Sequence, residues 1–189
     1  MQKSVAIIYG FAEGPWHAKR MLRQFERYGY KPTNSPEAAD VVITHSGGCL
    51  FDFKLRPEQT LVVINPVYWP GRSYVSRFRA KVWQDIWLLL FGGHPIYSLQ
   101  KLGYNLFYAI KYRRRNGYML RKKDIFKIET IISHSRTILI RNKDDPWLTP
   151  DLTPLTQVNP HLRIAELPGG HDDCWLYSEV YLDLIQSDI

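Results

Sequence analysis

The run Ala39-Asp40-Val41-Val42-Ile43-Thr44-His45-Ser46-Gly47-Gly48 constrains this chain more than any other stretch. Its β-branched residues read as a buried strand, and that strand stops at a serine flanked by small residues. Packing alone gives no reason to stop there, but chemistry does. A sharp strand-to-helix turn lifts the Ser46 hydroxyl out of a sheet and needs small residues where the backbone passes closely. Two later runs supply what a serine nucleophile lacks. Ile138-Leu139-Ile140-Arg141-Asn142-Lys143-Asp144-Asp145-Pro146 is a strand followed by carboxylates. Ile164-Ala165-Glu166-Leu167-Pro168-Gly169-Gly170-His171 is a strand followed by a histidine presented by glycines.

The remaining apolar runs alternate with helical patterns. Val5 to Tyr9 reads as the first strand, and residues 16–28 as a helix burying Ala18, Met21, Leu22, Phe25 and Tyr28, closed by Gly29. A short strand near 30–33 and at most a helical turn at 35–39 precede the central strand, 41–44. Further strands are expected at 61–64, 137–140 and 162–165. One amphipathic helix over 174–186, burying Tyr177, Tyr181, Leu184 and Ile185, closes the pattern. Continuous Val/Ile/Leu strands between helices predict an α/β fold: a mostly parallel, doubly wound sheet covered on both faces. A length of 189 residues fits one domain spanning residues 1–189.

Residues 68–127 break the alternation. They read as two or three helices, one carrying Tyr74, Phe78, Val82, Ile86 and Leu90, another Leu99, Leu102, Leu106 and Ile110. Between Gly71 and Asp124 stand twelve Lys and Arg against Asp85 and Asp124, a local balance of +10; with +7 for the whole chain, the rest sums to −3. This basic, aromatic insert precedes the last two strands, where a lid belongs. Its basic residues fit solvated positions on a cap, or an anionic membrane surface where Trp and Tyr settle at the headgroups. Charge is the only argument for nucleic acid, and no recognised motif supports it.

Two cysteines make no disulfide framework; Cys49 and Cys174 are expected as buried, reduced thiols near the candidate site. Ser4 to Tyr9 enters a strand with no apolar h-region or cleavage site before it, and no stretch reaches the ~18 uncharged residues of a spanning helix. A cytoplasmic protein, peripheral at a membrane if the insert binds one, is therefore expected. His17, His94, His134 and His161 show no metal-ligand spacing. Gly10-Phe11-Ala12-Glu13-Gly14 lacks both the dinucleotide fingerprint and a P-loop lysine. Chemistry without metal or cofactor is the expectation.

Taken in order, Thr44-His45-Ser46-Gly47-Gly48, Asn142-Lys143-Asp144-Asp145-Pro146-Trp147 and Gly169-Gly170-His171 resemble the motifs of the α/β-hydrolase superfamily, in particular its compact serine hydrolases. Tyr9-Gly10-Phe11 is similar to the stretch after the first strand of many members, while Thr44 departs from Gly-X-Ser-X-Gly at its first glycine. The resemblance covers the chain outside residues 68–127. It implies Ser46 as nucleophile, His171 as base and Asp145 as the acid orienting it, with Asp144 the alternative acid. It implies backbone N–H groups of Phe11 and Gly47 as an oxyanion hole. The expected activity is hydrolysis of a small-molecule carboxylic ester with an apolar acyl or aryl group, through an acyl-enzyme intermediate; an amidase, thioesterase or acyltransferase would use the same residues. The alternative is a catalytically silent protein of this fold, binding a partner or membrane through the insert.

Overall fold

The computed structural model describes residues 2–10, 15–68, 74–91, 95–96, 98–100, 102–103, 122–145, 148 and 151–188. Six strands form one sheet: β1 (Ser4–Ile8), β2 (Lys31–Pro32), β3 (Val41–His45), β4 (Thr60–Ile64), β5 (Thr137–Asn142) and β6 (Arg163–Leu167), in the order β2-β1-β3-β4-β5-β6. Every neighbouring pair is parallel, with Val41 opposite Thr60, Leu61 opposite Thr137 and Ile138 opposite Arg163. The central strands are buried on both faces, which is why they read as unbroken apolar runs without alternation.

Side chains of successive residues point to opposite faces, so each strand feeds two cores. Val5, Val41, Ile43, Val62, Ile64, Ile138 and Ile140 meet α1 (Pro15–Arg27) and the C-terminal helices on one face. Ala6, Val42, Leu61, Val63 and Leu139 meet Ile128 and Ile132 on the other. The helices of the second half are α2 (Tyr74–Phe91), α3 (Lys122–Ile132), α4 (Thr153–Val158), α5 (Asp173–Leu176) and α6 (Ser178–Asp188). Pro32 ends the two-residue edge strand β2, where its missing N–H costs the sheet nothing further inward. No helix among the described residues is long and apolar enough to cross a membrane.

Several sequence expectations need correction. The single C-terminal helix is two, because Tyr177 leaves helical geometry between α5 and α6. Tyr177, expected inside, is exposed, as is Tyr28 at the end of the α1 stripe. Leu90 and Leu99 also face outward. The insert is helical where it is described, but it begins and ends in the core. Tyr68 is buried and donates its hydroxyl to Glu129 Oε1 at 2.8 Å, and α3, which starts within the expected lid, buries Ile128 and Ile132 beneath the sheet. Leu106, Ile110 and the arginines at 113–115 lie outside the described residues.

Candidate active site

A parallel sheet sends all its strands out at one edge, and loops leaving the carboxyl ends of β3, β5 and β6 therefore emerge together. Ser46 follows β3 directly, with φ of +56°, and opens a short 3₁₀ helix, Ser46–Leu50. Only a few per cent of residues other than glycine adopt positive φ. Here the conformation turns the chain sharply enough for the serine side chain to stand clear of the sheet. Asp145 comes three residues after β5 ends, and His171 four after β6 ends.

The three side chains form a single hydrogen-bonded line. Asp145 Oδ2 accepts from His171 Nδ1 at 2.9 Å, and His171 Nε2 lies 2.8 Å from Ser46 Oγ. Because a carboxylate can only accept, Nδ1 carries the ring proton and a neutral ring leaves Nε2 to accept from the Ser46 hydroxyl. The carboxylate and imidazole side chains are almost wholly sheltered from water, whereas Ser46 is only half-buried. The proton acceptor is thus dry and the hydroxyl accessible. Asp144, the alternative acid, is not in this line: its exposed side chain accepts from the Gly169 N–H at 3.3 Å.

Close approach explains two glycines. A Cβ on Gly10 would lie 2.9 Å from Ser46 Cβ, 3.0 Å from the Gly47 nitrogen and 3.1 Å from Ser46 Oγ. Glycine at position 10 thus keeps open a small space bordered by both the hydroxyl and the Gly47 N–H. Gly48 has no room either, since a Cβ there would run into the Ile8 carbonyl. Phe11, expected as the second oxyanion donor, lies outside the described residues.

Behind the line sits a buried polar clamp that sequence reading missed. His45 Nε2 and Asn65 Nδ2 both donate to the His171 carbonyl, each at 2.8 Å. Asn65 Oδ1 accepts from the Asn142 N–H at 2.8 Å, and Asn142 Nδ2 donates to the Gly170 carbonyl at 2.5 Å. The Tyr181 hydroxyl donates to Asn142 Oδ1 at 2.8 Å, and burial pushes its titration far up. The ends of β3, β4 and β5 thereby fix the loop that carries the histidine. The only available sequence signal was a polar residue, Asn65 or Asn142, closing an otherwise apolar strand. His45 packs beside the site, its ring 4.9 Å from that of His171 and 5.0 Å from that of Trp175.

His45, His171 and Asp172 bring potential ligand atoms within 4.8 Å of one another. Both ring nitrogens of His171 already serve Asp145 and Ser46, and His45 Nε2 serves a carbonyl, so a metal there would have to dismantle the line. Cys49 and Cys174 are both buried thiols, outside any disulfide. Thr44, in the place of a motif glycine, puts its hydroxyl 3.1 Å from Cys49 Sγ, and burial pushes that thiol up to about 11.

Two outcomes follow from this geometry. Ser46→Gly should be more stable than Ser46→Ala by about 1 kcal/mol in denaturant unfolding, because only glycine takes positive φ without strain. The Cys49 thiol should resist a maleimide or iodoacetamide in native protein at pH 8 and react once the chain is unfolded, as peptide mass spectrometry would show.

The sequence matches no protein-family model, and no curated protein matches it. Solved structures do match in shape. One is an enzyme that degrades N-acyl homoserine lactones, with a TM-score of 0.63 at 9% identity over 100% of this chain and 94% of that one. A thioesterase domain from the curacin biosynthetic pathway gives 0.60 at 11%, over 98% and 91%. The enol-lactonase of Burkholderia xenovorans gives 0.59 at 10%, over 100% and 91%. Identities this low speak to architecture alone, and over nearly its whole length this chain has the α/β-hydrolase fold.

Proposed function

We propose that the protein is a serine hydrolase that works through an acyl-enzyme intermediate, with carboxylic esters as its substrates. The observation that carries this reading is the line Ser46–His171–Asp145, two short hydrogen bonds linking a hydroxyl, an imidazole and a sheltered carboxylate. Serine alone is a poor nucleophile because its hydroxyl stays protonated near neutral pH. In the proposed reaction Ser46 Oγ adds to the ester carbonyl carbon while its proton passes to His171 Nε2. Asp145 keeps the ring in the required tautomer and stabilises the imidazolium. The tetrahedral oxyanion takes a hydrogen bond from the Gly47 N–H, beside the space that Gly10 leaves open. The C–O bond to the leaving alcohol then breaks, and the proton on Nε2 goes to that oxygen. Water, deprotonated by the same nitrogen, attacks the acyl-serine and releases the carboxylic acid.

Lactones and thioesters, to which the structural neighbours' names point, present the same electrophile, an acyl carbon bonded to an oxygen or sulfur leaving group. The apolar character of the insert favours an apolar acyl or aryl group. On this reading residues 68–127 act as a lid within one catalytic domain.

The experiment is hydrolysis of p-nitrophenyl esters together with fluorophosphonate labelling. Wild-type protein should be labelled on Ser46, and Ser46→Ala should lose the label and about 10⁶-fold in kcat. Asp145→Asn should cost ~10⁴ by admitting the wrong tautomer, whereas Asp144→Asn should stay close to wild type. From acetate to hexanoate, kcat/KM should rise by up to about fourfold per methylene if an apolar acyl pocket is filled. Folded wild-type protein that escapes labelling, or a Ser46→Ala variant that is labelled equally, refutes the proposal.

A further inference from the structure

Helix α2 turns a large apolar stripe to the solvent. Its inward side carries two polar residues beside the partly buried Val82, Ile86, Leu88 and Leu89. Asp85 is only 2% exposed, and Gln84 donates to the Asp144 carbonyl at 3.2 Å while lying against Gly170. Its outward side carries Trp83, Trp87, Leu90 and Phe91, at 70%, 60%, 66% and 71% exposure. Those four stand at i, i+4, i+7 and i+8 and so form one stripe, with the rings of Trp87 and Phe91 5.8 Å apart. In the next helical residues Ile96 and Leu99 are exposed as well.

We propose that this outer side of α2 is a docking surface for anionic lipid bilayers, on which the helix lies in the plane of the headgroups. Charge selects the occupant. The stripe belongs to the segment from Gly71 to Asp124, whose balance is +10 in a chain otherwise at −3. Protein–protein interface cores are depleted of charge, whereas a strongly basic segment rich in aromatic residues suits anionic headgroups. Tryptophan also settles at the boundary between headgroup and acyl chain. The helix is too short of apolar residues to span the bilayer, which leaves the surface as its place. Gln84 of the same helix meets the loops holding Asp145 and His171, so docking would hold the candidate active site close to the bilayer. This inference does not depend on the reaction: lipid binding needs neither Ser46 nor His171.

Co-sedimentation of the purified full chain with phosphatidylcholine vesicles, with and without 30% phosphatidylglycerol, tests it. The wild type should partition at least ten times more strongly onto the anionic vesicles, and raised NaCl should weaken that preference. The triple variant Trp83→Ser/Trp87→Ser/Phe91→Ser should lose at least tenfold in partitioning. Should it fail to give a native circular dichroism spectrum, the single variant Trp87→Ser takes its place and should lose at least threefold. The Ser46→Ala protein should partition onto the anionic vesicles as the wild type does, which separates failure here from failure of the proposed reaction. Equal partitioning onto both vesicle types overturns the proposal, as does wild-type binding by a folded variant of the aromatic stripe. So does a dimer that the substitutions dissolve without any vesicle binding, because the face would then serve a second copy of the chain.

Discussion

Parallel pairing of β3, β4, β5 and β6 is the constraint on which the rest of the structure depends. It sends three loops, whose outermost site residues stand 125 positions apart in sequence, to the same edge. Antiparallel pairing of β6 would carry residue 171 to the opposite end of the sheet, and no local adjustment could return it. The apolar identity of these strands serves that alignment directly. Residues buried on both faces fix the register, since a slip by one position would exchange the two cores.

Alignment of strands brings the loops near one another but does not orient an imidazole to within a few tenths of an ångström. The buried amides and His45 do that. One carbonyl, that of His171, receives two donors, and Asn142 ties Gly170, Asn65 and Tyr181 together. Buried polar groups of this sort stabilise only when every partner is present, because an orphaned amide or carbonyl costs about 1–3 kcal/mol. The clamp therefore acts as a unit. A neighbouring cost is the positive φ of Ser46, a strain that the surrounding sheet and the 3₁₀ turn hold in place.

The parallel sheet and the positions of Ser46, Asp145 and His171 could be read in the sequence because each lies just after an apolar strand, a local pattern. Asp145 could be told from Asp144 only in three dimensions: adjacent residues point to different sides of a turn, and spacing does not say which side meets a histidine. The clamp was illegible for another reason. Asn65 reaches a backbone carbonyl 106 residues away, and carbonyls are the same in every sequence. Leu90 was misplaced on α2 because helical spacing groups it with Val82 and Ile86, which are partly buried, whereas the inward side is marked by Asp85, 2% exposed, and by Gln84, which donates to the Asp144 carbonyl. The break at Tyr177 left no proline or glycine to mark it.

The proposed reading, a lid helix with its aromatics outward beside a hydroxyl–imidazole–carboxylate line, is of a protein that handles acyl groups beside an apolar phase. Its central claim is covalent chemistry at one oxygen. Mixing the protein with excess p-nitrophenyl butyrate, quenching in acid within the first turnover and mapping peptides by mass spectrometry tests that claim most directly. The account predicts a butyryl group, gained with loss of one hydrogen, on the peptide carrying Ser46. Steady turnover with no acylated peptide, or with the acyl group on another side chain, would contradict it.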